Sequence, residues 1–181
     1  MAIHEKPFTS KILTSTEQIE LATNHGDLAL AQGNWVKLIC GASNQDLPSI
    51  SDLCALYGAA GVHCVDVAAD VAVVRAARQG LDWVESHFGK RPWLMVSISD
   101  GKEVHFRKAF FDSKLCPPDC PRPCEKVCPA DAIKDLEGVD WNRCYGCGRC
   151  LTACPLSLIN EIDQHTELDG LGPLIQKLHP D

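Results

Sequence analysis

Apolar residues fall in three short blocks between residues 35 and 98, with two longer stretches of helical period between them. Residues 35–40 (WVKLIC) form an apolar run that ends at Gly41, the pattern of a buried strand. Asp46-Leu47-Pro48 then reads as a cap followed by proline in the first helical turn. Ile50, Leu53, Cys54 and Tyr57 follow at i, i+3, i+4 and i+7 and predict one helical face, with Gly61 as its stop. Residues 62–68 (VHCVDVA) predict a second strand. Val71, Val74, Ala77, Leu81 and Val84 predict a second helical stripe, ending near Gly89. Residues 92–98 (PWLMVSI) predict a third strand.

Strand–helix–strand–helix–strand with short turns implies a parallel sheet with right-handed crossovers. The predicted fold class is therefore mixed: a small βαβαβ, partial barrel-like α/β unit, followed by an α+β module. Upstream, Thr16-Glu17-Gln18-Ile19-Glu20-Leu21 reads as a short capped helix. Downstream, residues 103–111 (EVHFRKAFF) read as an extended segment. A boundary is expected at Asp112–Ser113, giving units 1–112 and 113–181. No Ser/Gly linker marks it, so the two units are expected to pack together.

Composition removes several function classes. Seventeen Lys and Arg against 24 Asp and Glu leave a net charge of −7, which disfavours nucleic acid or an anionic membrane as partner. No apolar run approaches the roughly 20 residues of a membrane-spanning helix. The first residues, MAIHEKPFTSKILTSTEQ, lack the apolar core of a secretory signal, so a cytoplasmic protein is expected.

The 11 cysteines change the picture most. An odd number in a chain without an export signal points to metal binding rather than a disulfide framework. Cys40, Cys54 and Cys64 stand alone on predicted buried elements and read as small core hydrophobes. The other eight lie between Cys116 and Cys154. Cys144, Cys147, Cys150 and Cys154-Pro155 have the spacing C-x2-C-x2-C-x3-C-P of bacterial-type ferredoxins. Cys116, Cys120, Cys124 and Cys128-Pro129 form a looser copy with three residues in every gap. In such motifs the fourth cysteine ligates the other cluster. The expected sets are therefore crossed: Cys116, Cys120, Cys124 and Cys154 for one [4Fe–4S] cluster, and Cys144, Cys147, Cys150 and Cys128 for the other. Two alternatives stay open. Eight cysteines also suit two zinc ions, although zinc sites favour paired knuckles over a triplet followed by C-P. The looser first copy would hold [3Fe–4S] if Cys116 were not a ligand.

Other candidate chemistry is weaker. Asp66, Asn44, Asp70 and Ser97 lie near predicted strand C-termini, where barrels of this kind carry catalysis, but Asp70 is equally explained as a helix cap. GASNQDLP is neither a dinucleotide fingerprint nor a phosphate loop. Arg107, Lys108, Lys114, Arg122, Lys126, Arg143 and Arg149 read as counter-charges to anionic clusters, with a docking face for an acidic electron carrier as the alternative.

WVKLICGASNQDLPSISDLCALYGAAGVHCVDVAAD followed by LCPPDCPRPCEKVCPADAI resembles the light-dependent period protein family of cyanobacteria. The resemblance runs from about Gly33 to Ile159. It implies an iron–sulfur protein in light and redox input to the circadian clock, and carries the eight cluster cysteines onto the positions named above. Family members usually continue into a further C-terminal domain, so a short homologue or a truncated chain is expected here. The expected function is electron relay or redox sensing with a protein redox or signalling partner. The alternative is a cluster-containing oxidoreductase, or a subunit of one, with a substrate site at the strand C-termini.

Overall fold

The computed structural model describes residues 25–40, 46–99, 101, 106–134 and 137–181. The expected helix at Thr16–Leu21, Asn44 and the loop after Gly41 lie outside these residues. After α1 (His25–Gln32) the chain alternates through β1 (Lys37–Ile39), α2 (Leu47–Ala60), β2 (Cys64–Ala68), α3 (Val71–Phe88) and β3 (Trp93–Ser97). The three strands form a parallel sheet in the order β1-β2-β3. Val65 and Val67 of β2 meet Leu94 of β3 and the buried side chains Ile50, Cys54, Val74, Ala77 and Leu81 in one core.

Helix ends follow the sequence. The Asp70 carboxylate accepts from the Ala72 and Val73 N–H groups at 2.8 and 3.4 Å, a helix N-cap. Gly61, at φ +98°, closes α2 in the left-handed region that a glycine enters without penalty. One stripe differs from expectation: Tyr57 is exposed. The buried line on α2 runs through Ile50 and Cys54 towards Gly58, where an added Cβ would lie 2.8 Å from Val84. The glycine lets the two helices close, and Tyr57 is turned away from the contact.

The cysteine-rich segment is a second small body. It runs through β4 (Arg107–Phe110), α4 (Pro123–Lys126), β5 (Ile133–Lys134), β6 (Gly138–Val139), α5 (Arg149–Ala153) and β7 (Asn160–Asp163). β4 pairs antiparallel with β7, and β5 with β6. The strand expected within residues 103–111 is thus β4, and it belongs to this body.

The elements group differently from a division at 112–113. The module begins at β4. The last helix, α6 (Leu171–Leu178), leaves it and returns to the parallel-sheet unit. Leu178 is 1% exposed and shares the core of Val65 and Leu81. The Arg78 guanidinium donates to the Leu178 and His179 carbonyls at 2.5 and 2.6 Å. Asp181 exchanges hydrogen bonds with the Leu94 backbone on β3. The cysteine body is therefore an insertion between β3 and α6. Burial of Leu174 and Leu178 on the sheet unit decides where this helix belongs.

Candidate metal centre

The two cysteine runs share one backbone design. Cys124 lies on α4 and Cys150 on α5. The residue two before each is left-handed: Arg122 at φ +49° and Gly148 at φ +73°. Each run ends in a Cys-Pro turn, closed by Asp131 N–H to Cys128 O and by Ser157 N–H to Cys154 O. The third residue after each final cysteine, Asp131 or Ser157, is again left-handed at φ +50° or +51°.

That reversal aims backbone amides at sulfur. The Ala132 N–H donates to Cys128 Sγ at 3.2 Å. At Cys154, burial pushes the thiol up, but the N–H groups of Leu158, Leu156, Ile159 and Ser157 outweigh it and hold the thiol below its ordinary value. An amide nest of this kind suits an anionic sulfur ligand.

The sulfurs gather across the runs. Burial raises Cys116, with Cys120 and then Cys154 among the neighbouring sulfurs that add to it. Burial also raises Cys124, whose sulfur neighbours are Cys154 and Cys116. Cys150 is pushed up to about 12, first by burial and then by Cys144, Cys147 and Cys128. Cys128, Cys144, Cys147 and Cys150 also line one recess with Ala109, Ile133 and Leu151. The last cysteine of each run therefore stands with the first three of the other.

Does this donor set fit an iron–sulfur group? It is all sulfur, backed by apolar residues and by amides pointed at thiolates. Among the described residues, no three Cys, His, Asp or Glu side chains converge closely enough for a single ion. A tetrahedral four-cysteine zinc site, with Zn–S near 2.3 Å, would need sulfurs only about 3.8 Å apart. The four sulfurs that line the recess, those of Cys128, Cys144, Cys147 and Cys150, suit a cube with sulfide between its irons. The residues fit the group.

Several basic residues have carboxylate or carbonyl partners. Arg107 pairs with Glu161 at 2.9 Å. Arg143 pairs with Asp131 at 3.4 Å and donates from Nε to the Ala130 carbonyl. Lys108, 6% exposed, donates to the Asp70 carboxylate and to the Cys144 carbonyl, and so ties the cap of α3 to a ligand loop. Sequence reasoning placed Lys108 near the clusters but missed this link. It also missed Tyr145, buried between Cys144 and Cys147. Burial, and then the Cys147 sulfur, push its phenol up to about 12.

Asp66 is not in the cysteine body. It accepts from Lys37 Nζ at 2.8 Å and from Ser97 Oγ at 2.7 Å, on the sheet face opposite α2 and α3. The polar cavity at the strand ends lies instead beside Asp70. It has a volume of about 400 Å³, and Asp70, Lys108, Trp141, Tyr145, His165 and Lys177 help to line it. None of the described helices is long and apolar enough to cross a membrane.

Residues 116–165 match the family described as the LdpA Fe-S cluster-binding domain. Light dependent period A of Synechococcus elongatus is 61% identical over 132 residues, 72% of this chain and 37% of that protein. An uncharacterized ferredoxin of Methanocaldococcus jannaschii is 48% identical over 40 residues, 20% of this chain and 26% of the ferredoxin. A putative electron transport protein of Escherichia coli is 42% identical over 43 residues, 22% of this chain and 27% of that protein. The chain thus spans 37% or less of the curated relatives it matches. No solved structure matches. With the cluster-binding match falling on the eight gathered cysteines and the longer match reaching well beyond them, the chain belongs to the light-dependent period A family of iron–sulfur proteins.

Proposed function

We propose that the chain carries two [4Fe–4S] clusters and works as an electron relay or redox sensor, handing single electrons to a protein partner. Cys116, Cys120, Cys124 and Cys154 would hold one cluster, and Cys144, Cys147, Cys150 and Cys128 the other. The observation that carries this reading is the exchange of the last cysteine between the two runs, each with backbone amides turned towards its sulfur. When bound, each cluster supplies a one-electron couple. Eight thiolates answer eight iron positions, so no iron is left for a substrate. The chain's own contribution is to fix the sulfurs on two short helices and two Cys-Pro turns. Arg107, Lys108 and Arg143 lie close by, partnered by Glu161, Asp70 and Asp131. By family resemblance, the setting is light and redox input to the circadian clock.

Anaerobically purified protein is expected to contain about eight irons and eight sulfides per chain, without zinc. Cys128→Ser should damage the cluster of Cys144, Cys147 and Cys150, and Cys154→Ser the other, as resolved by electron paramagnetic resonance. Two zinc ions without sulfide, or damage confined to each cysteine's own run, would overturn the reading.

A second reading is favoured by the cavity beside Asp70, which adjoins the Cys144–Cys147 loop through Asn142 and Tyr145. It would take a small polar substrate, making the chain a cluster-containing oxidoreductase or a subunit of one. Faster reoxidation of the reduced protein by one small molecule, abolished by filling the cavity, would favour it over electron relay.

A further inference from the structure

The β4–β7 pair lies against the second cysteine run. Ala109 and Glu161 stand opposite each other across it, and both line the recess of Cys128, Cys144, Cys147 and Cys150. Side chains alternate along a strand, so Arg107, two residues before Ala109, shares that face. Gly146, between Cys144 and Cys147, lines the same recess, and a Cβ built on it would fall 3.2 Å from the Arg107 Cγ. The guanidinium is fixed there by Nη1, which donates to Glu161 Oε2 at 2.9 Å. Its Nε is buried and has no hydrogen-bond partner among the described residues. Arg143, directly before Cys144, differs: its Nε donates to the Ala130 carbonyl at 3.0 Å.

On the reading that Cys144, Cys147, Cys150 and Cys128 hold a cluster, we propose that the Arg107 Nε–H donates a hydrogen bond to one of its anionic sulfurs, thiolate or sulfide, and so raises its reduction potential. A guanidinium N–H donates and never accepts, so burying one without an acceptor costs free energy. The described protein atoms supply no acceptor, whereas the recess that Ala109, Gly146 and Glu161 help to line is ringed by four sulfurs. Hydrogen bonds to the sulfurs are among the factors that set the potential of an iron–sulfur cluster.

The direction of the effect follows from charge. A reduced cluster carries one more negative charge than an oxidised one, and its sulfurs are the better acceptors. A charged donor therefore stabilises the reduced state more. Glu161 holds the guanidinium in place and offsets its net charge. What Arg107 adds is thus a directed N–H, beyond the counter-charge that any basic residue would supply. Lysine at this position would keep the charge for Glu161 and lack the Nε–H.

The test uses the cluster-bearing chain, titrated anaerobically against potential by electron paramagnetic resonance, with iron and sulfide assayed alongside. In Arg107→Lys the reduced-to-oxidised ratio of this cluster at a fixed potential should fall about tenfold, a shift of about 59 mV for one electron. Arg107→Gln should shift it in the same direction. Glu161→Gln breaks the same ion pair but keeps the Nε–H, and should not lower the potential. In the reduced parent chain grown with 15N-labelled arginine, electron spin echo spectra should show a nitrogen coupling that Arg107→Lys abolishes. An unchanged potential in Arg107→Lys with full iron and sulfide, or an equal fall in Glu161→Gln, would overturn the proposal and leave the cluster assignment standing. Where Arg107→Lys loses iron, absence of the nitrogen coupling from the parent chain overturns it. A parent chain without iron and sulfide would overturn the cluster assignment and the proposal together.

Discussion

Two glycines of the second cysteine run can be set against each other. Gly146 and Gly148 sit at φ +75° and +73°, so replacing either by alanine places a side chain in the same left-handed region, at about 1–2 kcal/mol. The surroundings differ. A Cβ on Gly146 would lie 2.3 Å from the Arg107 carbonyl oxygen and 3.2 Å from its carbon. That oxygen belongs to β4, where Arg107 pairs with Asp163 of β7, so it cannot retreat without opening the ladder. A Cβ on Gly148 would lie 3.4 Å from the end of the Glu161 side chain, an ordinary contact. Overpacking against a fixed backbone adds about 1–3 kcal/mol. Gly148→Ala therefore reports the backbone conformation alone, and Gly146→Ala the conformation plus the clash. With about 2–4 °C per kcal/mol for a domain of this size, Gly146→Ala should melt at least about 2–4 °C below Gly148→Ala. Thermal unfolding followed by circular dichroism measures the difference, with iron and sulfide assayed alongside. The Gly146 variant should also lose iron, because the displaced loop carries Cys144 and Cys147. Equal melting temperatures and equal iron in the two variants would refute the argument that β4 closes directly on this loop.

Leu178→Ala, at a site 1% exposed in the parallel-sheet core, should cost about 2–4 kcal/mol in a urea titration while leaving iron content unchanged; iron loss without destabilisation would instead tie the last helix to the cysteine body. Asp66→Asn removes the charge, and with it the charge-assisted character of the hydrogen bond, that raise Lys37 above 10.5; this raised value stabilises the folded state in full below the ordinary lysine value and is lost as pH rises through the raised one. The gap in melting temperature between the parent and Asp66→Asn should therefore be constant from neutral pH to about pH 10 and shrink above it, with cluster potentials unchanged; a gap that grows with alkalinity would contradict the assignment.

Local chemistry was legible along the chain. The apolar blocks and helical stripes marked β1, β2, β3, α2 and α3 to within a few residues, because burial on one sheet face imposes those periods directly. Asp70 and Gly61 announced helix ends, since capping and left-handed turns need those residue types. The Cys-Pro repeats pointed to iron–sulfur chemistry because ligand spacing along a loop is a local constraint. Positions whose role depends on a distant partner were not legible. Arg122 occupies the left-handed place that Gly148 holds in the other run, with no glycine to mark it. Asp66 found Lys37 and Ser97 only when three strands came into register. The return of α6 to the sheet unit was settled by Leu178 in its core, by the Arg78 guanidinium of α3 on the last carbonyls of α6, and by Asp181 against β3. Spacing along the chain sets what a short segment can form, whereas partners across the fold are chosen by how separate segments bury their apolar faces together, and that choice belongs to the tertiary structure.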